Sequence, residues 1–531
     1  MDAPYVLFVA FEEFDNLGIR YISSVLAGND FRIRIIDIRK GKKKILEAAR
    51  DINPLIIGFS VVYQYYIMRF RETARFLRNN GVSAHFCAGG QYASLRQEEL
   101  YRLMPEIDSV VMFEGELTFL ELAKNLRSGT DWKNSEGLAF KNEGRIIKNL
   151  LRKPETDLDS FPYPMRPRLQ EYALGKKFAT LIAGRGCKNN CSFCNNTKYL
   201  IKSSFPVRRL RHPAYVAGEI EFLHRQNDCS VFLFDDDDFP VMTENGQEWI
   251  MDFCAELKHR KLAGRILWKI NCRPDEIDYD VFRMMKNHGL YLVFLGIDDG
   301  TDEGLARLNK NMTVKQSMTG ISILKKLRIN FDYGFMLFQP SSDFDSVLRN
   351  IDFLDNLCHD GSAPLKFLKI RPYFETRIEK ELLREGRLKG KPGFRDYDFT
   401  DPSLNHYYEF LEVLFGEWMA GSGGLANAAF WARNYISVFK RFYKPDVRTA
   451  SIAAGIDEIV AGGNIFMAGI MKELAYLFMS GKNKTPDESD LVHYSENVRI
   501  KHLTSVKQIA DHVDLICRMA EMQSISKSIM Y

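Results

Sequence analysis

The stretch Cys187-Lys-Asn-Asn-Cys191-Ser-Phe-Cys194 restricts this chain more than any other feature. It follows Thr180-Leu-Ile-Ala-Gly-Arg-Gly186, so a short apolar strand delivers the chain into a loop able to wrap three thiolates around one metal site. Three ligands are one too few for an iron–sulfur cube, and an open fourth iron could bind a small chelating ligand. The competing reading is structural zinc, which usually takes four protein ligands, often with a paired CxxC. No convincing partner for the triplet stands nearby.

The surroundings of that loop set the fold class, α/β throughout the first two-thirds. Residues 1–130 alternate candidate strands (Tyr5–Ala10, Arg32–Ile38, Leu55–Phe59, Ser83–Cys87, Ser109–Met112) with helical stretches (Gly18–Leu26, Lys42–Asp51, Tyr66–Asn80, Ser94–Met104). That pattern predicts a doubly wound, Rossmann-like domain over 1–150 with a largely parallel sheet. Ligands of such folds sit beyond the carboxyl ends of the strands. Gly58-Phe-Ser60, Gly89-Gly90 and Glu114-Gly115-Glu116 fall there, and together suggest a crevice where backbone approaches a large ligand closely. A Pro-rich linker, 151–176, follows. Six βα-like units over 177–386, with strands at Phe178–Ala183, Val231–Phe234, Leu267–Asn271, Tyr291–Gly296, Tyr333–Leu337 and Phe367–Ile370, predict a partial parallel barrel with active groups on its C-terminal rim. Residues 387–531 read as a mainly helical domain, with Trp418 and Trp431 as core residues.

Composition narrows the function classes. With 531 residues, 46% of them hydrophobic, the chain can bury two or three cores. Its 73 basic and 69 acidic residues give a net charge of +4, which supplies no reason to expect a nucleic-acid partner. No apolar stretch is expected to approach the roughly 20 residues that cross a bilayer, so no membrane partner is expected. The N-terminus lacks a secretory pattern, and nine cysteines form no dense framework, so a cytoplasmic, reducing location is the expectation.

The cysteine loop resembles the signature of radical S-adenosylmethionine (SAM) enzymes. The resemblance implies that Cys187, Cys191 and Cys194 hold a [4Fe–4S] cluster whose open iron binds the amino and carboxylate groups of SAM. Phe193 occupies the aromatic position common in that motif. Phe234-Asp-Asp-Asp-Asp-Phe239 resembles the rim near the methionine amino group, which points to Asp236 and Asp237. By the same resemblance Arg273 would hold the SAM carboxylate. Asp298 of Gly296-Ile-Asp-Asp-Gly300 stands where relatives often have glutamate. Leu308-Asn-Lys310 and Thr313 also match, although helix capping accounts locally for Thr313.

The N-terminal domain resembles the cobalamin-binding domain fused to one class of these enzymes. Asn16-Leu-Gly18, Gly58-Phe-Ser60, Gly89-Gly90 and Glu114-Gly115-Glu116 match it in order and approximate spacing. The implied cofactor contacts are Asn16, Gly18, Ser60, Gly89, Gly90, Glu114, Gly115 and Glu116. The region Phe11–Gly18 lacks the Asp-x-His-x-x-Gly histidine that binds cobalt from below in other cobalamin domains. No histidine lower ligand is therefore expected. Tyr63, Tyr65 or Arg69 are candidates to cover that face.

The resemblance implies a cobalamin-dependent C-methyltransferase acting on a natural-product or peptide precursor. One SAM is the methyl source and a second supplies a 5′-deoxyadenosyl radical. Oxidative cyclisation, ring contraction or rearrangement without net methylation remains open, as does a non-enzymatic cobalamin or redox sensor. Methylthiolation of tRNA is less favoured, because neither its cysteine-bearing N-terminal domain nor an RNA-binding tail is evident. Substrate-facing candidates are Tyr333 and Tyr373. The expected partners are a small-molecule or peptide substrate and a low-potential electron donor such as flavodoxin or ferredoxin, with the chain a monomer.

Overall fold

The computed structural model describes residues 3–12, 15–241, 246–480 and 488–529. They fall into two compact units that interleave along the chain. The first comprises Met1–Arg168, Gly184–Arg211 and Pro372–Asp396; the second comprises Leu169–Ala183, His212–Arg371 and Tyr397–Tyr531.

The first unit is built on β1 (Tyr5–Ala10), β2 (Arg32–Asp37), β3 (Ile56–Ser60), β4 (His85–Gly89), β5 (Ser109–Val111), β6 (Leu138–Asn142) and β7 (Arg145–Lys148). Their order is β2-β1-β3-β4-β5-β6-β7, parallel through β5 and antiparallel beyond it. The central strands are apolar at nearly every position because both faces are covered. Successive residues of β1 enter opposite cores: Leu7 and Val9 join Ile57, Phe59 and Phe86, while Val6, Phe8 and Ala10 join Ile56 and Cys87. Burying each such large side chain contributes roughly 1.5–3 kcal/mol. Helices Leu17–Ala27, Lys42–Ile52, Ile67–Asn79 and Glu116–Ser128 supply the covering faces.

Three features depart from the sequence reading here. The helix expected over Ser94–Met104 is two, Gln91–Leu95 and Gln97–Leu103, broken where Arg96 leaves helical geometry. The β6–β7 hairpin was not anticipated; Glu143 and Gly144 turn it with φ of 48° and 81°, the left-handed pair such two-residue turns need. The Pro-rich segment is packed rather than a free linker. Ser24 Oγ donates to the Tyr163 carbonyl at 2.7 Å, and Arg20 and Met165 exchange hydrogen bonds at 3.0 and 3.1 Å.

The second unit holds β8 (Gln170–Ala173), β9 (Lys176–Leu181), β10 (Cys229–Phe234), β11 (Leu267–Cys272), β12 (Leu290–Asp298) and β13 (Asn330–Phe335). Their order is β13-β12-β11-β10-β9-β8, with β9 to β13 parallel and β8 antiparallel to β9. The sixth barrel strand expected at Phe367–Ile370 is a single bridge, Phe338 to Lys369. Pro364 and Pro372 flank it and limit the ladder.

Helices Pro402–Ala420, Leu425–Phe442, Val447–Ser480 and Glu488–Ile529 form the helical region of the chain. By length and composition alone, the 34-residue Val447–Ser480 could cross a membrane, which corrects the expectation that no stretch approaches that length. In the structure 44% of its most apolar window is buried. Asn464 within it accepts from Leu365 N at 2.7 Å and donates to the Cys358 and Ala363 carbonyls at 2.8 and 2.9 Å. Trp418 is 2% exposed, in line with its reading as core.

Candidate functional site

In the first unit the loops leaving β1, β3, β4 and β5 lie at the carboxyl edge of the parallel sheet, where a doubly wound fold binds its ligand. Asn16 caps helix Leu17–Ala27 by accepting from Ile19 N, and its amide donates to Ser60 Oγ at 3.3 Å. Two expected contacts from different strands are thus brought together. Gly18 lies in the first turn of that helix. Gly89 ends β4, and Gly90 has φ of 102°; a Cβ there would sit 2.8 Å from the Val61 carbonyl oxygen. Only glycine holds that turn without strain. The small-residue backbone and the Asn16–Ser60 pair fit a large polar cofactor lying across the crevice.

Of the lower-face candidates, Tyr63 and Arg69 are exposed. Tyr65 stacks edge-on against Tyr373 and Phe394, with ring centres 5.4 and 6.2 Å apart. Gln64 beside it is 2% exposed. It accepts from Phe374 N at 2.9 Å and donates to the Pro372 carbonyl at 3.2 Å, so the segment carrying Tyr373 is tied to the loop after β3.

The cysteine loop belongs to this same unit. Cys187, Cys191 and Cys194 are partly exposed, whereas Cys87, Cys229, Cys254, Cys272 and Cys358 are buried. Burial pushes the Cys254 thiol up to about 12, as expected of a cysteine enclosed in apolar surroundings. Asn189 offers its backbone N–H and its side-chain amide to Cys187 Sγ at 3.4 and 3.5 Å, donors that favour a thiolate. The loop is braced by Cys194 N to the Cys191 carbonyl and by Ile378 N to the Ser192 carbonyl, at 3.2 and 3.3 Å. Phe193 is partly exposed between its ligand neighbours. Among the described residues, no three Cys, His, Asp or Glu side chains converge as they would around a single metal ion. The three accessible thiols, with the Asn189 donors at Cys187, fit a cluster, whose separate irons each take one thiolate.

Glu114 and Glu116 are engaged within the protein. Their carboxylates are committed to arginines flanking the cysteine loop. Glu116 pairs with Arg185 at 2.6 Å, and Glu114 with Arg185 at 3.2 Å and also with Arg209. Burial pushes the Arg185 guanidinium down, but Glu116 and Glu114 outweigh it and hold it above its ordinary value. What the Glu114-Gly115-Glu116 loop presents to the crevice is therefore backbone.

In the second unit the rim residues are mostly engaged locally. Asp236 is 4% exposed and accepts from Ala183 N through both oxygens at 3.0 Å. Asp237 beside it is exposed. Arg273 pairs with Asp275 through two bonds of 2.9 and 3.0 Å. Asp298 ends β12 and pairs with Lys310 at 2.5 Å. The fork of Arg273 and the carboxylate of Asp236 thus already have protein partners, which lowers their availability for the roles expected of them.

Strand parity corrects Tyr333. The register pairs Asn271 with Phe294 and Phe294 with Asp332, so these three share one face of the sheet. That face is only partly buried along Leu233, Lys269, Asn271, Phe294, Gly296, Asp332 and Gly334. Trp268, Ile270, Val293, Leu295, Phe331 and Tyr333 occupy the opposite, buried face. Tyr333 is 1% exposed and donates to the Pro364 carbonyl at 3.0 Å, so it is a core residue. The open face carries chemistry that sequence reasoning missed: Lys269 bonded to Asn271, and Lys366 paired with Asp332. Burial pushes Lys269 down and Asp235 up, each partly offset by the other's charge. Counting alternation from the buried Trp268 would have found this face.

Two family models match in succession along the chain, and the second takes in the cysteine segment of the first unit together with much of the second unit. The B12 binding domain model matches residues 5–123, and the radical SAM superfamily model matches residues 181–354. The chain is 26% identical over 404 residues to an uncharacterized methyltransferase of Pyrococcus horikoshii, covering 74% of this chain and 83% of that protein. It is 26% identical over 292 residues to the anaerobic magnesium-protoporphyrin IX monomethyl ester cyclase of Rubrivivax gelatinosus, covering 53% of this chain and 50% of that one. The chain thus spans about half the length of the cyclase. Among solved structures, the cobalamin-dependent S-adenosylmethionine radical enzyme OxsB, with aqua-cobalamin and S-adenosylmethionine bound, superposes with a TM-score of 0.68. That alignment covers 99% of this chain and 80% of that one at 16% identity, so the likeness is one of fold.

Proposed function

Because the chain belongs to the B12-binding branch of the radical SAM superfamily, we propose that it is a C-methyltransferase acting on a natural-product or peptide precursor, with SAM as methyl and radical source. The observation supporting methyl transfer is the extent of the methyltransferase match, 83% of that relative against 50% and 68% of two cyclases. When bound, the cluster and SAM supply a carbon-centred radical, and cobalamin supplies the methyl group.

The chain's own residues would do the positioning. The half-open sheet face sets Lys269, Asn271, Phe294, Asp332 and Lys366 side by side, a surface able to orient a polar substrate while Phe294 packs against its carbon skeleton. Asp237, which with Asp235 is exposed on the rim, is proposed to meet an ammonium group. The electron is proposed to come from a low-potential donor such as flavodoxin or ferredoxin, and the chain to act as a monomer.

The test is anaerobic incubation of reconstituted protein with cobalamin, a low-potential reductant and methyl-labelled SAM, read by mass spectrometry. Label recovered in the cobalamin fraction is the expected result. Deoxyadenosine without such label favours the second reading, oxidative cyclisation or rearrangement, which the cyclase relative supports. Neither product under competent reduction sinks both and revives a sensor.

A further inference from the structure

We propose that Arg185 is a positioning residue for the cysteine loop, through which filling of the crevice beyond β3, β4 and β5 is coupled to loading of Cys187, Cys191 and Cys194. The proposal rests on the two cofactors, not on methyl transfer.

The loops that form the crevice also grip the cysteine segment. After β5, Glu116 and Glu114 hold Arg185 at 2.6 and 3.2 Å, and Phe113 sets its ring edge against Tyr199 and Phe205, with centres 5.1 and 6.1 Å apart. After β4, Gln91 Nε2 donates to Asn196 Oδ1 at 2.7 Å. After β3, Gln64 holds the segment leading to Ile378, whose N–H bonds the Ser192 carbonyl. Each crevice loop thus has its own attachment to the chain that carries the thiols.

Arg185 is the shortest of these connections, two residues before Cys187. Gly184–Arg185 pairs antiparallel with Arg209–Leu210, and Arg209 shares Glu114 with Arg185. Gly186 between Arg185 and Cys187 has φ of 94°, and a Cβ there would overlap the Val207 carbonyl. The link therefore has little slack. Glu116 is 4% exposed and opens helix Glu116–Ser128, so its carboxylate cannot swing to solvent without moving the helix start. Two arginines against two glutamates make a balanced buried set, in which altering one member leaves another uncompensated. A ligand pressing on the Gly90 and Glu114-Gly115-Glu116 backbone must shift this set or be shaped by it. Coupling of this kind is reciprocal: whatever cobalamin does to the cluster loop, the loaded loop does to cobalamin affinity.

The experiment measures hydroxocobalamin affinity by visible absorption on the full chain, once with the cluster reconstituted and once after chelation of iron. Wild-type protein is expected to show affinities differing by about fivefold or more between the two states. Arg185→Lys keeps the charge but loses the fork, and Glu116→Gln keeps the shape but loses the charge. Both are expected to bring the ratio towards one. A residue that merely stabilised the fold would lower both affinities together and leave the ratio unchanged. The electron paramagnetic resonance signal of the reduced cluster, recorded with and without cobalamin, should shift in wild type and stay fixed in Arg185→Lys. Equal affinities in the two wild-type states, an undiminished ratio in both variants, or no cobalamin binding in either state would each overturn the proposal.

Discussion

Lys310 Nζ lies 2.5 Å from Asp298 Oδ2, with both side chains less than a tenth exposed. Asp298 has φ of 69° at the end of β12, and its carbonyl accepts from Met336 N at 2.9 Å. A buried ion pair adds little over an apolar substitute, but breaking one side is costly. Lys310→Met should therefore destabilise by about 3–5 kcal/mol, and Asp298→Asn added to it should recover most of the loss. Thermal unfolding of the two variants decides it. A double variant as unstable as the single one would sink the ion-pair account.

Tyr333 and Asp332 are neighbours on opposite faces, and their variants should separate folding from chemistry. Tyr333→Phe loses the bond to the Pro364 carbonyl and should cost about 1 kcal/mol in stability, with turnover unchanged. Asp332→Asn weakens the partly buried pair with Lys366, at a cost of about 1 kcal/mol in stability, and should in addition lower kcat/KM by about tenfold, as for a group that orients substrate. Equal effects of both variants on turnover would contradict the assignment of faces.

Gly186→Ala should reduce iron incorporation after reconstitution, because the added Cβ overlaps the Val207 carbonyl beside Cys187. Gly264→Ala is the control: its φ of 84° imposes similar backbone strain with nothing within 4 Å. Iron per chain in both proteins reports the difference. Identical iron content would show that the turn does not govern the cysteine loop.

Glu276 gives a pH signature. Burial, the Asp238 charge and Asp275 raise its carboxyl from 4.5 to about 8, against the lowering effect of the Arg273 backbone. A raised folded value means a contribution fully present below about pH 4.5 and lost as pH rises through about 8. Glu276→Gln should therefore nearly match wild type near pH 5 and exceed it in stability by pH 9, by on the order of a few kcal/mol. Parallel Tm profiles would rule this out.

Asn464→Ala strands the Leu365 N–H and the Cys358 and Ala363 carbonyls in the core. A loss of about 2–4 kcal/mol is expected. Limited proteolysis should then cut near residues 358–366 before it cuts elsewhere, and an unchanged cleavage order would count against this anchoring role.

Local signals were the legible ones. β1 and β3 could be read because nearly every position is apolar, and the cysteine triplet because its spacing is contained in eight residues of sequence. The partners of Glu114 and Glu116 lie 95 and 69 residues away, so no window could show that these carboxylates hold Arg209 and Arg185. In β13, Asn-Phe-Asp-Tyr-Gly-Phe places aromatic rings at three alternate positions, Phe331, Tyr333 and Phe335, and draws attention away from the smaller Asp332. The last expected barrel strand failed for a related reason. Phe367–Ile370 has the composition of a strand, but pairing depends on Phe338, which sequence alone does not place opposite it.

The β6–β7 hairpin has a consequence for solubility. Without it, β5 would be the sheet's outer strand: three fully buried apolar or small residues with a free row of backbone donors and acceptors, a template for another chain. The hairpin moves that edge to Arg145–Lys148, whose two basic ends are exposed, while the opposite edge, β2, alternates Arg32 and Arg34 with isoleucine. Both borders of the sheet therefore carry charged side chains, Lys148 paired with Glu98 and Arg34 with Asp51, and a second copy docking edge to edge would have to strip water from them, which disfavours growth of the crevice-bearing sheet into an intermolecular one.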